Sequence, residues 1–232
     1  MTSKVAIVDL IKGGYESIKE ALQLIGGIDV LNTTERNITI KVGVFSHKAE
    51  NHASVDVVDG IIRNFTNAPT IHLVESDNYK GTGSERLTIW KQLFSAHVVP
   101  FNLSEDKETR KTRAIGQDFN LSHLLFKPNV FVSTHILRSF EKGSILKNLF
   151  GCIPDTKRVK YHKDEILYPL LADVFEGIGG IDLAILDGTY LWQQAGTARQ
   201  RMNTLIAGRD AVAVETVGAT LVGLRPEKMR LI

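Results

Sequence analysis

A 232-residue chain with a single cysteine is closed to several chemistries at once. Cys152 has no second thiol to pair with, so an internal disulfide, a zinc ribbon and a Cys-ligated iron–sulfur cluster within the chain are all excluded. Cys152 follows Phe150-Gly151 in an apolar setting and reads as a small core residue rather than a nucleophile. Long hydrophobic runs are lacking too, since no stretch approaches the roughly 20 apolar residues that a membrane-spanning helix needs. The N-terminus passes straight into a strand-like pattern, Lys4-Val-Ala-Ile-Val-Asp-Leu10, without the basic and apolar regions of a secretion signal. The expectation is a cytoplasmic protein, in which the Asn-x-Ser/Thr matches at Asn32, Asn37, Asn64, Asn102 and Asn120 are chance. An excess of one charge is also missing. The formal net charge of +2 points to neither nucleic acid nor a membrane surface as partner. No G-x-S-x-G elbow, H-E-x-x-H, P-loop or dinucleotide fingerprint occurs.

What is present is an alternation of strand and helix periods. Strand-like runs at 5–10, 38–45, 70–74, 98–101, 130–132, 181–186 and 204–206 are separated by helical patterns at 84–96, 143–150, 165–178 and 210–222, and by stripes such as Ile18, Ala21, Leu22, Ile25 and Val55, Val58, Ile61, Ile62, Phe65. This predicts an α/β fold: one domain over 1–232, with a mainly parallel, Rossmann-like layered sheet and helices on both faces. Ligands of such sheets sit at the carboxyl ends of the strands. Residues 103–127 break the rhythm with a charged run and read as an excursion, a hairpin or a surface flap. Residues 151–163 and 189–200 read as loops. The chain ends just after a Pro-Glu that looks like the start of another helix, so the fold is expected to want more chain there.

Several polar groups stand where chemistry could be. Val130-Phe-Val-Ser-Thr-His135 reads as a buried strand ending on polar residues, and Lys147-Asn148 interrupts an apolar helical run. Lys41 lies inside the second strand pattern, as an edge-strand lysine or as a functional cation. Gly81-Thr-Gly-Ser84 either cradles an anion with backbone N–H groups or is a loop whose Ser84 caps a helix. Asp187 ends a strand and either contacts a ligand or starts an Asx turn. Asp210 is most simply an N-cap, with Glu215 facing sheet or solvent. His135, His162, Asp187 and Asp210 have the ligand types for a divalent metal but no supporting spacing, so the metal is unassigned. Basic clusters occur at Lys107, Arg110, Lys111, Arg113 and at Lys157, Arg158, Lys160, Lys163.

Together, Thr134-His135, Leu146-Lys-Asn-Leu-Phe-Gly151 with Pro154 and His162, Leu186-Asp-Gly188, Ala207-Gly-Arg-Asp-Ala-Val-Ala-Val-Glu215 and Gly223-Leu-x-Pro226 resemble the uncharacterised prokaryotic family called domain of unknown function 362, from about residue 4 to the end. The family pattern Lys-Pro-Asn stands here as Lys41-Val42-Gly43, its Lys-Thr-His as Ser133-Thr134-His135, and its final Asp as Glu215. The resemblance implies a fold and a location rather than a reaction. Many relatives add a ferredoxin-like cluster domain, for which this chain lacks the cysteines.

The expectation is a protein that binds a small anionic ligand at the carboxyl rim, as an enzyme or former enzyme. Lys41, Lys147 and Arg199 would neutralise the ligand, while Thr134, Asn148 and the loop of Gly81, Gly83 and Ser84 would hydrogen-bond it. His135 would act as general acid or base, and Asp187 would orient it or hold a metal. The rival is a non-catalytic binding or scaffold module, in which Lys147-Asn148 satisfies buried backbone groups and partners use the basic loop 157–163. A redox role requires a separate subunit to supply the cluster.

Overall fold

The computed structural model of the protein describes residues 2–48, 51–193 and 200–232. The strands are β1 (Val5–Asp9), β2 (Ile38–Val42), β3 (Ile71–Glu75), β4 (Val98–Asn102), β5 (Thr109–Ala114), β6 (Gln117–Ser122), β7 (Val130–Arg138), β8 (Leu183–Trp192) and β9 (Gln200–Gly208). The helices are α1 (Gly14–Leu24), α2 (Val55–Asn64), α3 (Gly83–Leu87), α4 (Ile145–Asn148), α5 (Asp164–Gly177) and α6 (Ala211–Leu221). Seven strands form one sheet in the order β1-β9-β8-β7-β2-β3-β4. The five from β8 to β4 are parallel, while β9 is antiparallel to both β8 and β1. The expected layered α/β fold with helices on both faces is therefore present. Among the described residues no helix is long and apolar enough to cross a membrane.

Side-chain alternation along the strands divides the core in two. Ile38, Ile40, Val132, Ile71, Leu73, Leu183 and Ile185 pack with Ile18 and Leu22 of α1 and Val57, Val58 and Ile61 of α2. Phe131, Val74, Ala184, Leu186 and Ile206 pack on the other face with α4, α5 and α6 and with the β5–β6 hairpin, through Ile145, Leu170, Val214, Phe119 and Leu121. The 103–127 excursion is thus a hairpin that covers the second core, with Arg110, Lys111 and Arg113 exposed and Thr112 and Ala114 buried.

Five expectations change. β1 is an antiparallel edge strand rather than the first strand of a parallel βαβ unit, because β9 inserts between it and β8. β7 does not end on Ser133-Thr134-His135 but continues to Arg138, since the polar triplet is buried and its backbone is paired within the sheet. The 84–96 helix is only α3, followed by a 3₁₀ turn over Thr88–Leu93 in which the fully buried Trp90 leaves helical geometry. The 143–150 helix is only α4, followed by a 3₁₀ turn over Leu149–Cys152. β8 also runs through part of what reads as a polar loop, as far as Trp192.

Helices α1 and α2 meet at two glycines. A Cβ on Gly60 would lie 2.6 Å from the Gly14 carbonyl, and one on Gly14 would lie 2.1 Å from the Asp56 carbonyl oxygen. Asp56 also accepts the Gly14 N–H at 2.7 Å, which locks the contact. Gly60→Val should push the helices apart and destabilise the fold by about 1–3 kcal/mol, the usual range for overpacking. A lower urea midpoint at unchanged slope checks this.

Candidate functional site

The parallel strands all end on one rim, and a cavity of about 760 Å³ opens there. Its floor is an ion pair. Lys41 lies on β2, between β7 and β3, so it is not an edge residue. It is 1 % exposed, and its Nζ lies 2.9 Å from Glu75 Oε2 at the end of β3. Arg86 of α3 approaches the same carboxylate oxygen at 3.5 Å and donates to the carbonyls of Val44 and Ser76. Burial pulls the Lys41 pKa down while Glu75 opposes that shift. A buried carboxylate with two cations around it is the arrangement that keeps all three in place; removing one partner of such a pair typically costs about 3–5 kcal/mol.

Asn148 ties this floor to the neighbouring strand. Its Nδ2 is shared between the Lys41 carbonyl at 3.0 Å, Ser133 Oγ at 3.2 Å and the Thr134 carbonyl at 3.3 Å, while its Oδ1 accepts from Lys41 Nζ at 3.1 Å. One amide thus serves β2 and β7 where the strand ladder needs satisfying. The short helix that carries Asn148 is held at its start by Glu215, whose buried carboxylate accepts the N–H groups of Ser144 at 2.7 Å and Leu146 at 2.9 Å. Burial raises the Glu215 pKa, and those N–H groups and Arg138 partly offset the shift. Gly151 leaves room for the ion pair, since a Cβ there would lie 2.7 Å from Lys41 Nζ.

Lys147 points away from Asn148, into the cavity. Its Nζ lies 2.7 Å from His162 Nε2 and 4.7 Å from the centre of the Phe150 ring. Arg138 and Arg158 line the same space. Arg138 donates to the Gly143 carbonyl at 2.7 Å, and Arg158 to Ser76 Oγ and the Ile153 carbonyl, both at 2.7 Å. His135 is also part of the wall. Its Nδ1 is 3.2 Å from the Ile136 carbonyl, so that nitrogen carries the proton and Nε2 keeps a lone pair. Burial, then Arg138 and Lys41, hold His135 well below the ordinary histidine pKa, so the ring is neutral. The space for it comes from position 43: a Cβ on Gly43 would lie 1.9 Å from the ring.

The other expected site residues go elsewhere. Asp187 takes the Ser54 N–H at 2.6 Å and the Thr189 N–H and hydroxyl at 2.8 and 2.6 Å. It therefore forms the Asx turn and anchors the start of α2, and it does not orient His135. Thr134 is fully buried, its hydroxyl has no hydrogen-bond partner, and it does not line the cavity. The loop of Gly81, Gly83 and Ser84 is no anion cradle, because its own side chains fill it. Gly83 N–H donates to Asp77 at 2.8 Å, Thr82 N–H to Glu85 at 2.9 Å, and Gly81 N–H to the Asn78 carbonyl at 3.2 Å. Thr82, not Ser84, caps α3, in a capping box with Glu85. Asp210 is the N-cap of α6, accepting the Ala213 N–H at 3.0 Å. Arg199 lies outside the described residues. Among the described residues no group of three or more His, Cys, Asp or Glu side chains is placed to hold a metal. Cys152 is fully buried and its thiol pKa is pushed up to about 12 by burial, which fits a core role.

Sequence reasoning missed Glu75, Arg86, Arg138 and Arg158 as members of the site. Glu75 had a usable signal. A lysine within a central strand needs a carboxylate, and Glu75 is the acid one residue beyond the position that pairs with Lys41 on the adjacent strand. Arg86 and Arg158 had none, because each sits in a segment whose pattern looks solvent-facing.

Asn148→Ala should leave the Lys41 ammonium and two strand carbonyls short of partners. At about 1–3 kcal/mol per unsatisfied buried group, thermal unfolding should shift by several degrees. The histidines predict an acid weakness. His135, and His162 at about 4, have folded pKa values below the ordinary 6.5. The unfolded chain binds those protons first, so stability present above pH 6.5 is lost as pH falls towards 4. Urea midpoints at pH 7.5 and 5 should show this drop, and His135→Gln should lessen it.

Among curated proteins none matches the chain. The family described as "Domain of unknown function (DUF362)" matches residues 38–220, a span shorter at both ends than order and spacing suggest. That span runs from the first residue of β2 almost to the end of α6 and includes Lys41, Glu75, His135, Lys147-Asn148, Arg158 and Glu215; the chain belongs to the DUF362 family.

Proposed function

We propose that this protein binds a small anionic molecule in the rim cavity and acts on it as an enzyme, with His135 giving or taking a proton. The observation that carries this reading is the charge of the wall. Six Lys or Arg side chains and three Asp or Glu side chains line the cavity. Glu75 is taken by Lys41 and Arg86, and Asp164 by Lys142 at 2.7 Å, while Glu141, the third, makes no ion pair with a described residue. Among the described residues no carboxylate lies within ion-pair distance of Arg138, Lys147 or Arg158. Cations without a carboxylate in ion-pair contact, gathered in a partly desolvated pocket, raise the local concentration of anions and strengthen each hydrogen bond made to them. His135 supplies a neutral ring with a free nitrogen in the same wall, the state a general base needs at neutral pH. Cytoplasmic residence fits a reduced Cys152 and is part of the proposal.

The scaffold alternative keeps one correct element, since Asn148 does satisfy buried backbone groups. Its partner surface is weaker than the sequence suggests. Arg158 of the basic loop is buried and turned to Ser76, and Lys160 is paired with Asp155 at 3.0 Å.

Inorganic phosphate should raise the unfolding temperature of the protein, and the effect should fall as sodium chloride is added. Arg138→Gln should weaken phosphate binding about ten- to a hundredfold, the worth of a hydrogen bond to a charged group. Titration by differential scanning fluorimetry checks both. An equal response in wild type and variant would remove the cavity as the anion site.

A further inference from the structure

We propose that Lys147 is a nucleophile toward carbonyl carbon, and that the ligand of the cavity is an aldehyde or ketone carrying an anionic group and an apolar or aromatic body. The inference rests on the anion reading and adds the reacting group and the substrate class.

The geometry is that of an amine held beside its own base. Lys147 Nζ and His162 Nε2 are 2.7 Å apart, both in the cavity wall. Two protonated groups cannot face each other at that distance, so the pair shares a proton and keeps a lone pair. The groups around it come from every packed element: Arg138 from β7, Lys142 from the following loop, Arg158 from the 3₁₀ turn at Arg158–Tyr161, and Asp164 from α5. Only Asp164 is acidic, and Lys142 already occupies it. The Phe150 face favours the ammonium form. Burial and the three cations outweigh it and bring Lys147 down to about 7. Burial and Lys147 bring His162 to about 4. At neutral pH His162 is therefore neutral, and about half of Lys147 is free amine. A desolvated lysine among other cations is a recurring way to make an amine nucleophilic.

The space sets the rest of the substrate. About 760 Å³ far exceeds an inorganic anion. Beyond the cations the wall is aromatic: Phe45, Tyr79, Phe140 and Tyr168 line it, and Phe45 and Tyr79 stack edge to face at 5.6 Å. Arg138 and Arg158 would hold the anionic group, and the aromatic side the body. In the step itself the Lys147 lone pair attacks the carbonyl carbon. A C–N bond forms as the carbonyl π pair moves to oxygen. His162 takes a proton from nitrogen and returns it to the oxygen, giving a neutral carbinolamine; a second proton, taken up from solvent, then lets the oxygen leave as water and gives a protonated imine. No oxidant or reductant enters.

The test uses the whole chain with pyridoxal 5′-phosphate and, separately, phenylpyruvate, each trapped by sodium borohydride and mapped by peptide mass spectrometry. The expected result is a secondary-amine adduct at Lys147 that forms at least tenfold faster than at the exposed Lys91. Its rate should rise with a midpoint near pH 7, and inorganic phosphate should suppress it. Lys147→Arg should remove that adduct, with circular dichroism melting to check its fold. His162→Gln should slow it at least tenfold while phosphate still raises the unfolding temperature. If phosphate stabilises the protein but Lys147 labels no faster than Lys91, the nucleophile is overturned and the anion site stands. If phosphate has no effect and Lys147 is not labelled, both fall.

Discussion

The rim depends on one buried ion pair. Lys41 and Glu75 come from adjacent central strands and meet at 2.9 Å with almost no solvent contact. Neither charge is tolerable there without the other. Around that pair the remaining parts are fixed by what it needs. Arg86 adds a second cation to the carboxylate, Asn148 accepts from the lysine and serves both strand ends, and Gly151 stays small so that the chain can pass over the ammonium. The helix of Lys147-Asn148 is only one turn long, so it cannot hold its place by its own hydrogen bonds. It is held by Asn148 at one end and by the Glu215 carboxylate at the other.

This explains why the site is cationic. The carboxylate at the floor is already paired with two cations and reaches Arg158 only by longer-range attraction. Arg138, Arg158 and Lys147 are oriented by carbonyls, a hydroxyl and an imidazole instead of by acids. Neutral partners fix their positions, and among the described residues no carboxylate lies within ion-pair distance of them. The two histidines in the wall are kept neutral by the same surroundings.

Much of the fold was legible, because strand and helix periods persist wherever a segment has one buried face. The sheet, the helices on both faces and the rim location follow from that pattern. What failed did so for local reasons. The antiparallel insertion of β9 leaves no mark on the periodicity of β1. Trp90 bends its segment out of a helix through tertiary packing that propensity does not encode. Of the residues that line the cavity, Lys41, Lys147, Asn148 and His135 were legible because a polar residue in an apolar run is a visible conflict. Thr134, Asp187 and the Gly81–Ser84 loop gave the same kind of signal and turned out to be locally satisfied or turned away. A sequence shows that a polar group stands at a strand end, but not which neighbour has already claimed it.

The central claim is that an anion settles against Arg138, Lys147 and Arg158, above the Lys41–Glu75 pair. Anomalous diffraction from crystals soaked in selenate tests it directly. The account predicts a selenium peak inside the cavity, with the selenate oxygens within hydrogen-bonding distance of Arg138 and Lys147. Selenate found only on outer surfaces, with the cavity filled by solvent, would contradict it.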